Sequence, residues 1–285
     1  MIAGVARQLG AVAGASAPID ARRIAEAASG WEAAELAGSL DEEVPGRQLA
    51  AFDRMVVRRC DGEPLQYVVG AWGFRTLDLL VDDRAFIPRP ETEVVAGVAL
   101  EELERHAARA AAGGDRLRAV DLGTGTGAIA LSLAAEQPAV DVWATDASDE
   151  ALDVARANLA GTGRAAARVT LSAGSWYEAL PDELRGTVDV VVSNPPYVRT
   201  DEQLLAEVAE WEPEVALRSG PTGLGAVEVV VAGASEWLTP DGSLVVEHAP
   251  VQAPRVVALA EAAGFAFAET RVDLTGRPRL LLARR

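Results

Sequence analysis

Asn194, Pro195, Pro196 and Tyr197 directly follow the apolar run from Val188 to Ser193. Proline fixes φ and donates no hydrogen bond, and a residue that precedes proline is pushed away from the helical region. The four residues therefore form a stiff polar corner at the carboxyl end of an expected strand. Such a corner suits a planar amide or amino group. The Asn194 side-chain carbonyl and the Pro195 main-chain carbonyl can each accept one N–H, while Tyr197 packs on the flat face. An amide nitrogen is a poor nucleophile because its lone pair is delocalised. Accepting both of its protons makes it more electron-rich and sets its direction of approach, so substitution at nitrogen needs no strong base. Taken alone, the same four residues are more often no more than a rigid turn, and it is the neighbouring elements that favour the functional reading.

Earlier in the chain the run Leu117–Leu122, containing Asp121, leads into Gly123-Thr124-Gly125-Thr126-Gly127 and then into the helical pattern AIALSLAAEQ. Glycines at alternate positions allow a sharp turn and a close approach of the main chain to a ligand. In an open α/β sheet that place, at the carboxyl edge of a strand, is where ligands bind. The spacing is G-x-G-x-G, whereas a dinucleotide fingerprint is spaced G-x-G-x-x-G. Asp146 ends the next strand, in WATD, where a carboxylate can accept hydrogen bonds from both hydroxyls of a ribose. A close backbone and a carboxylate, without a pyrophosphate cradle, favour S-adenosylmethionine (SAM) over NAD. A strand, a helix and a strand fit between this loop and the Asn194 corner. If the fourth strand lies beside the first, the corner faces the methyl donor.

The elements that must position these groups follow from periodicity. Residues 1–71 are Ala-rich and helical, broken at GASAPID and EVPGR, and predict a small bundle of about four short helices. In it, Asp20 is expected to cap the helix that carries Ile24, and Gly30 to end it. Residues 72–90 predict a linker, with a β-hairpin over 72–88, and the Pro88-Arg89-Pro90 stiffener precedes the next helix. Residues 91–285 alternate strand and helix. Strands are expected at LRAVDL, VDVWATD, ARVTLS, TVDVVVSN, GSLVVEH, FAFAETRVD and RPRLLLARR, the last two joined only by a turn. This is an α/β chain with a seven-stranded, mostly parallel, Rossmann-like sheet ending in an antiparallel strand, and a helical amino-terminal domain joined by a hairpin.

The bulk properties narrow the partners. The 285 residues carry a formal charge of −17, which disfavours direct nucleic-acid binding or attachment to an anionic membrane. Cys60 has no partner for a disulfide, and His106 and His248 lie far apart in sequence with no Cys/His spacing of a metal site, so no metal is expected. No stretch approaches the length of a membrane span, and the amino end lacks a leader pattern. A cytoplasmic protein, with a small molecule or a protein as partner, is the expectation.

These residues resemble the HemK/PrmC family, the peptide chain release factor glutamine N5-methyltransferases. The likeness is carried by DLGTGTGAIALSLA and SNPPY, and further by GEPLQYVVG, FIPRPETE, EWEPEVAL, GPTGLGAVE and DLTGRPR. It covers nearly the whole chain and is weakest over the first 50 residues. The resemblance implies methyl transfer from SAM to the glutamine amide of the Gly-Gly-Gln motif in class I release factors; separately, a monomer is the expectation. The resemblance places Gly123, Thr124, Gly125, Thr126 and Gly127 along the methionine part of SAM, Asp146 on the ribose and Trp176 against the adenosine. Asn194, Pro195, Pro196 and Tyr197 would hold the glutamine, with Asn194 also facing the cofactor. Glu91 and Glu93 would close the cofactor pocket, although an acidic first helical turn explains them equally well. Two departures stand out: Ser175 where an Asp is expected beside the adenine, and Ala249 in EHAPVQ where a Gly is usual. Asn-Pro-Pro-Tyr also serves adenine N6-methyltransferases, so a ribosomal-protein glutamine methyltransferase, a DNA or RNA adenine methyltransferase and a SAM-binding scaffold without turnover remain alternatives.

Overall fold

Seven strands rich in Val, Leu and Ala build one sheet in the computed structural model, which describes residues 1–38, 44–113 and 115–285. A two-stranded hairpin, β1 (Ala71–Phe74) and β2 (Leu77–Leu80), precedes it. The sheet strands are β3 (Leu117–Leu122), β4 (Val140–Asp146), β5 (Val169–Ala173), β6 (Val188–Ser193), β7 (Leu238–Glu247), β8 (Phe267–Val272) and β9 (Pro278–Arg284), in the order β5-β4-β3-β6-β7-β9-β8. Only β9 runs against its neighbours. Helices Ala128–Glu136, Asp149–Gly161 and Gly225–Trp237 supply crossovers between parallel strands.

Both faces of the sheet are covered, which is why every residue of β6 and all but Arg118 of β3 are buried, the charged Asp121 and Asp189 included. Alternation still assigns each side chain to a face. Ala119, Val190 and Val192 enter the core beneath the helices Pro90–Gly113 and Ala128–Glu136. Val120, Leu122 and Val191 enter the opposite core, with Trp237 and Val256. The strand order reverses at β3, whose neighbours are β4 on one side and β6 on the other. A crevice therefore opens beyond the carboxyl ends of β3 and β6, the general ligand site of such sheets.

The chain divides into two compact units. One comprises Met1–Trp72, Val81–Asp83 and Leu204–Glu212; the other comprises Gly73–Leu80, Arg84–Gln203 and Pro213–Arg285. Among its described residues the first unit holds five α-helices before residue 70 where about four were expected: Ile2–Ala13, Ala17–Ser29, Ala33–Gly38, Gly46–Cys60 and Leu65–Val69. Leu9, Ala21, Ile24, Phe52, Val56 and Val68 form its core. Part of the expected EVPGR break, Glu43, lies outside the described residues; the helix beyond it begins at Gly46.

Gly30 ends its helix in the left-handed conformation, as its lack of a Cβ allows. Asp20 does not cap that helix. Pro18, which is pre-set for a first turn, moves the start back to Ala17 and leaves Asp20 inside, buried against Arg59. The hairpin is also shorter than 72–88. Its second strand stops at Leu80, whose N–H and C=O both turn to the side chain of Asn158, at 2.7 and 3.0 Å. The following residues run on without strand pairing to the helix that begins at Pro90.

Candidate active site

The glycine loop is held from two sides. The N–H groups of Gly123 and Thr124 both donate to the Thr145 carbonyl, at 2.8 and 2.9 Å, and that of Gly125 donates to Asp146 Oδ2 at 2.8 Å. Gly123 and Gly125 have φ of 71° and 55°, a region that side chains disfavour. Asn158 Nδ2 donates to the Thr126 carbonyl, so the side chain that ends β2 also fixes the far end of the loop.

Two acids support this loop in different ways. Asp121 is fully buried beneath it, accepting at one oxygen from the Thr124 hydroxyl (2.7 Å) and the Ala130 N–H (3.1 Å). Burial pushes its carboxyl up to about 7, and those two donors only partly oppose the shift. Asp146 is half-buried at the end of β4, with Oδ1 accepting from the Ser148 N–H at 2.9 Å. Burial raises its carboxyl too, against backbone N–H donors. The helix cap is a separate residue, Ser148, whose hydroxyl accepts from the Ala151 N–H. Asp146 therefore organises the loop rather than ending a helix.

The rigid corner lies beside this loop because β6 pairs with β3 in a register that sets Ser193 opposite Leu122. The Ser193 hydroxyl donates to the Leu122 carbonyl at 2.7 Å, locking the two strand ends level. Asn194 thus begins where Gly123 begins. Beyond it, Gln252 Nε2 donates to the Tyr197 carbonyl at 3.0 Å, and the Val198 N–H donates to the Leu217 carbonyl at 2.9 Å. Gly223 packs so tightly there that a Cβ would collide with the Tyr197 carbonyl.

Behind the corner runs a polar chain through the protein. Asn194 Nδ2 donates to Thr92 Oγ1 at 3.2 Å, and Thr92 Oγ1 donates to Glu247 Oε2 at 2.7 Å. The Tyr197 hydroxyl donates to the other oxygen of Glu247 at 3.2 Å. Glu247 ends β7, next to β6, and is fully buried. Burial raises its carboxyl to about 7, opposed by Thr92, Arg279 and Tyr197. The Tyr197 phenol is also raised, by burial and then by Glu247.

Gly123, Thr124, Gly125, Thr126, Asp146, Trp176, Asn194, Pro195, Pro196 and Tyr197 all line one cavity of about 470 Å³. Gly127 does not line it. It caps the following helix with a φ of 84°, and a Cβ there would press on Leu131 at 3.1 Å. Glu91 and Glu93 also stand off the wall, while Thr92 between them faces it and is 3% exposed. Ser175 is on the wall beside Trp176. Trp176 holds a φ of 49°, a conformation a bulky residue rarely adopts, and its ring lies over Gly123, 3.5 Å from where a Cβ would be. Sequence reasoning assigned no role to Thr92, Glu247 or Gln252, although each falls within a motif already singled out. The segment after the hairpin contributes Ala85, Phe86 and Pro88 to the wall, and Ala85 packs on Ala151 and Val154.

Comparison with known proteins agrees with this architecture. A family described as the PrmC N-terminal domain matches residues 1–70, and one described as the methyltransferase small domain matches residues 100–211. The release factor glutamine methyltransferase of Burkholderia pseudomallei is 39% identical over 265 residues, covering 92% of this chain and 90% of that protein. The protein of the same name from Mycolicibacterium smegmatis is 40% identical over 278 residues, covering 96% and 93%. Among solved structures, the hMettl16 catalytic domain (14% identity, TM-score 0.54, 83% of this chain and 81% of that one) shares the fold. So does a methyltransferase from Pyrococcus furiosus (17% identity, TM-score 0.51, 74% and 89%). The extent and identity of the sequence matches place this chain in the release factor glutamine methyltransferase family.

Proposed function

We propose that the protein methylates the side-chain amide nitrogen of the glutamine in the Gly-Gly-Gln motif of class I release factors, with SAM as donor. The observation that carries this reading is the shared cavity, in which the glycine loop and the Asn194 corner stand side by side at the ends of β3 and β6. The cavity suits SAM. Its wall is largely apolar around Phe86, Pro88, Ile129 and Trp176, which suits a neutral purine, and it offers the Asp146 carboxylate to hydroxyl donors. A Cβ at Gly125 would meet nothing within 4 Å, so the loop leaves open room above its backbone. A pyrophosphate would instead face a carboxylate.

In this reading Gly123 to Thr126 hold the methionine part, Asp146 the ribose and Trp176 the adenosine, with Ser175 offering a hydroxyl where a carboxylate was expected. SAM, when bound, supplies an electrophilic methyl carbon. Asn194 Oδ1 and the Pro195 carbonyl accept hydrogen bonds from the two N–H groups of the glutamine amide. This keeps electron density on its nitrogen and aims the lone pair into the cavity, while Tyr197 covers the flat face. One of the two N–H groups gives up its proton to water as the methyl replaces it. Positioning of this kind is worth on the order of 7 to 11 kcal/mol in favourable cases. Incubating the protein with labelled SAM and, in parallel, purified class I release factors, ribosomal proteins and DNA tests the substrate. Label appearing only on the release-factor glutamine is the expected result, and label on DNA or a ribosomal protein instead overturns it. A release-factor substrate also implies action in the cytoplasm; among the described residues no helix is long and apolar enough to cross a membrane.

Asp146→Ala is expected to weaken SAM binding about 10- to 100-fold by calorimetry, the worth of one or two charge-assisted hydrogen bonds. Asp146→Asn, which can still accept from the Gly125 N–H, should lose less. An unchanged affinity in the alanine variant would move the ribose elsewhere.

The helical unit is the natural reader of the intact partner, since the cavity alone can take a free glutamine peptide. Truncation at residue 70 is a poor test, because Leu204–Glu212 belongs to the same compact body. Val57 and Ile19 are exposed apolar side chains of that unit, 57% and 63% accessible. Val57→Glu and Ile19→Glu are expected to raise KM for an intact release factor about tenfold, with that for a free peptide unmoved. Equal effects on both substrates, or none on either, would assign the unit a structural part only.

A further inference from the structure

We propose that Glu247, acting through Thr92, sets which end of the Asn194 amide faces the cavity, so that both are positioning residues for methyl transfer. The inference rests on the reading that Asn194 Oδ1 accepts a substrate N–H. The two ends of an Asn amide are nearly identical in shape, so hydrogen bonds alone choose between them. An ionised Glu247 is an acceptor only. Its Oε2 takes the single hydroxyl proton of Thr92, and its Oε1 takes that of Tyr197. Thr92 Oγ1 then has only lone pairs to offer, and the group that meets it at 3.2 Å must be the Asn194 NH2. The carbonyl is thereby turned to the cavity.

Protonation of Glu247 reverses the logic. A neutral carboxyl can donate to Thr92, whose own proton is then released toward Asn194 and prefers its carbonyl. The amide turns over and presents N–H groups where the substrate also presents N–H groups. The charges around Glu247 come from several elements. Arg279 of β9 favours its ionised form, and Glu91, on the helix that carries Thr92, opposes it. Tyr197 stays a neutral donor, its phenol raised by burial and by Glu247 itself. His248, next in the chain, is also buried and held toward its neutral form by burial. The carboxyl lies near 7, so the switch falls within the range where an assay can be run.

The test uses the full-length protein with an intact release factor as substrate, reading kcat against pH and SAM affinity by calorimetry. Thr92→Val keeps the shape and removes the relay; its kcat at pH 8 should fall about 100-fold, with SAM affinity held within about threefold. Thr92→Ser should restore most of that loss, because it returns the hydroxyl. In wild type, kcat should fall about tenfold per pH unit below the Glu247 pKa, and this acid limb should vanish in both Thr92→Val and Glu247→Gln. Thr92→Val with kcat within about threefold of wild type, Ser no better than Val, or an acid limb that survives in Glu247→Gln would each overturn the relay. Asn194→Ala separates this failure from that of the underlying reading. If Asn194→Ala is inactive while Thr92→Val is as active as wild type, the relay alone fails. Should Asn194→Ala itself be active, the corner is not the site.

Discussion

In the Asn194→Ala variant, kcat is expected to fall about 1000-fold while SAM still binds within about tenfold of its normal affinity. The separation follows from where the side chain sits. The glycine loop is fixed by Thr145, Asp146 and Asn158, none of which depends on Asn194. The substrate amide, by contrast, would lose one of its two hydrogen-bond acceptors, so that one N–H would be met by water instead and the lone pair would stay delocalised and unaimed. Removing one preorganised polar contact at a reacting centre typically costs a factor of about 100 to 1000, and here the same contact also sets orientation. The variant should fold, because the truncation leaves only one partner of the Thr92 hydroxyl missing, a cost of about 1 kcal/mol. Methyl transfer measured with labelled SAM, beside calorimetry of SAM binding, distinguishes the outcomes. Full activity removes the corner from the mechanism; loss of activity together with loss of all SAM binding would make Asn194 a cofactor ligand foremost.

The strings that sequence reading found are those whose meaning is local. A strand that runs into alternate glycines and then a helix, or into Asn-Pro-Pro, states its geometry within ten residues, because backbone freedom at glycine and its absence at proline act on neighbours. The seven-stranded sheet was legible in the same way, from apolar runs and crossover helices, including the reversal at β9 that a bare turn between the last two strands demanded. What could not be read depends on which strands become neighbours. Thr92 and Glu247 are 155 residues apart and meet because β6 and β7 pair and the helix Pro90–Gly113 starts over their ends. In PETE the two charged residues attract attention, yet they stand off the cavity wall while the threonine between them turns inward. A buried carboxylate such as Glu247 looks in sequence like any acid after a strand. The same limit hid the extent of the helical unit, since nothing in EWEP announces that Leu204–Glu212 joins a body built from the first 72 residues. Asp20 failed differently, because a residue type favoured at helix starts was needed as the partner of a buried arginine.

That arginine supplies the largest expected effect on stability. Arg59→Ala should cost about 3 to 5 kcal/mol, because it strands the Asp20 carboxylate in a core from which water is excluded. Both side chains are almost wholly buried, 4% and 5% exposed, and Arg59 Nε donates to Asp20 Oδ2 at 2.8 Å. The guanidinium does more than pair. It donates to the Glu63 carbonyl at 2.9 Å, closing the turn between the helices Gly46–Cys60 and Leu65–Val69, and reaches Glu207 at 3.4 Å. One side chain thus ties Ala17–Ser29, the turn after Cys60 and the returning segment Leu204–Glu212 into a single unit. Chemical denaturation followed by far-ultraviolet circular dichroism measures the loss. Replacing both partners, Arg59→Met with Asp20→Leu, should recover most of it, since a buried pair exchanged for apolar groups of similar volume is often neutral. The recovery would be incomplete, because the Glu63 carbonyl loses its donor in either case. A single-variant loss below about 1 kcal/mol would show that water reaches the pair and that the fold of this unit does not turn on it.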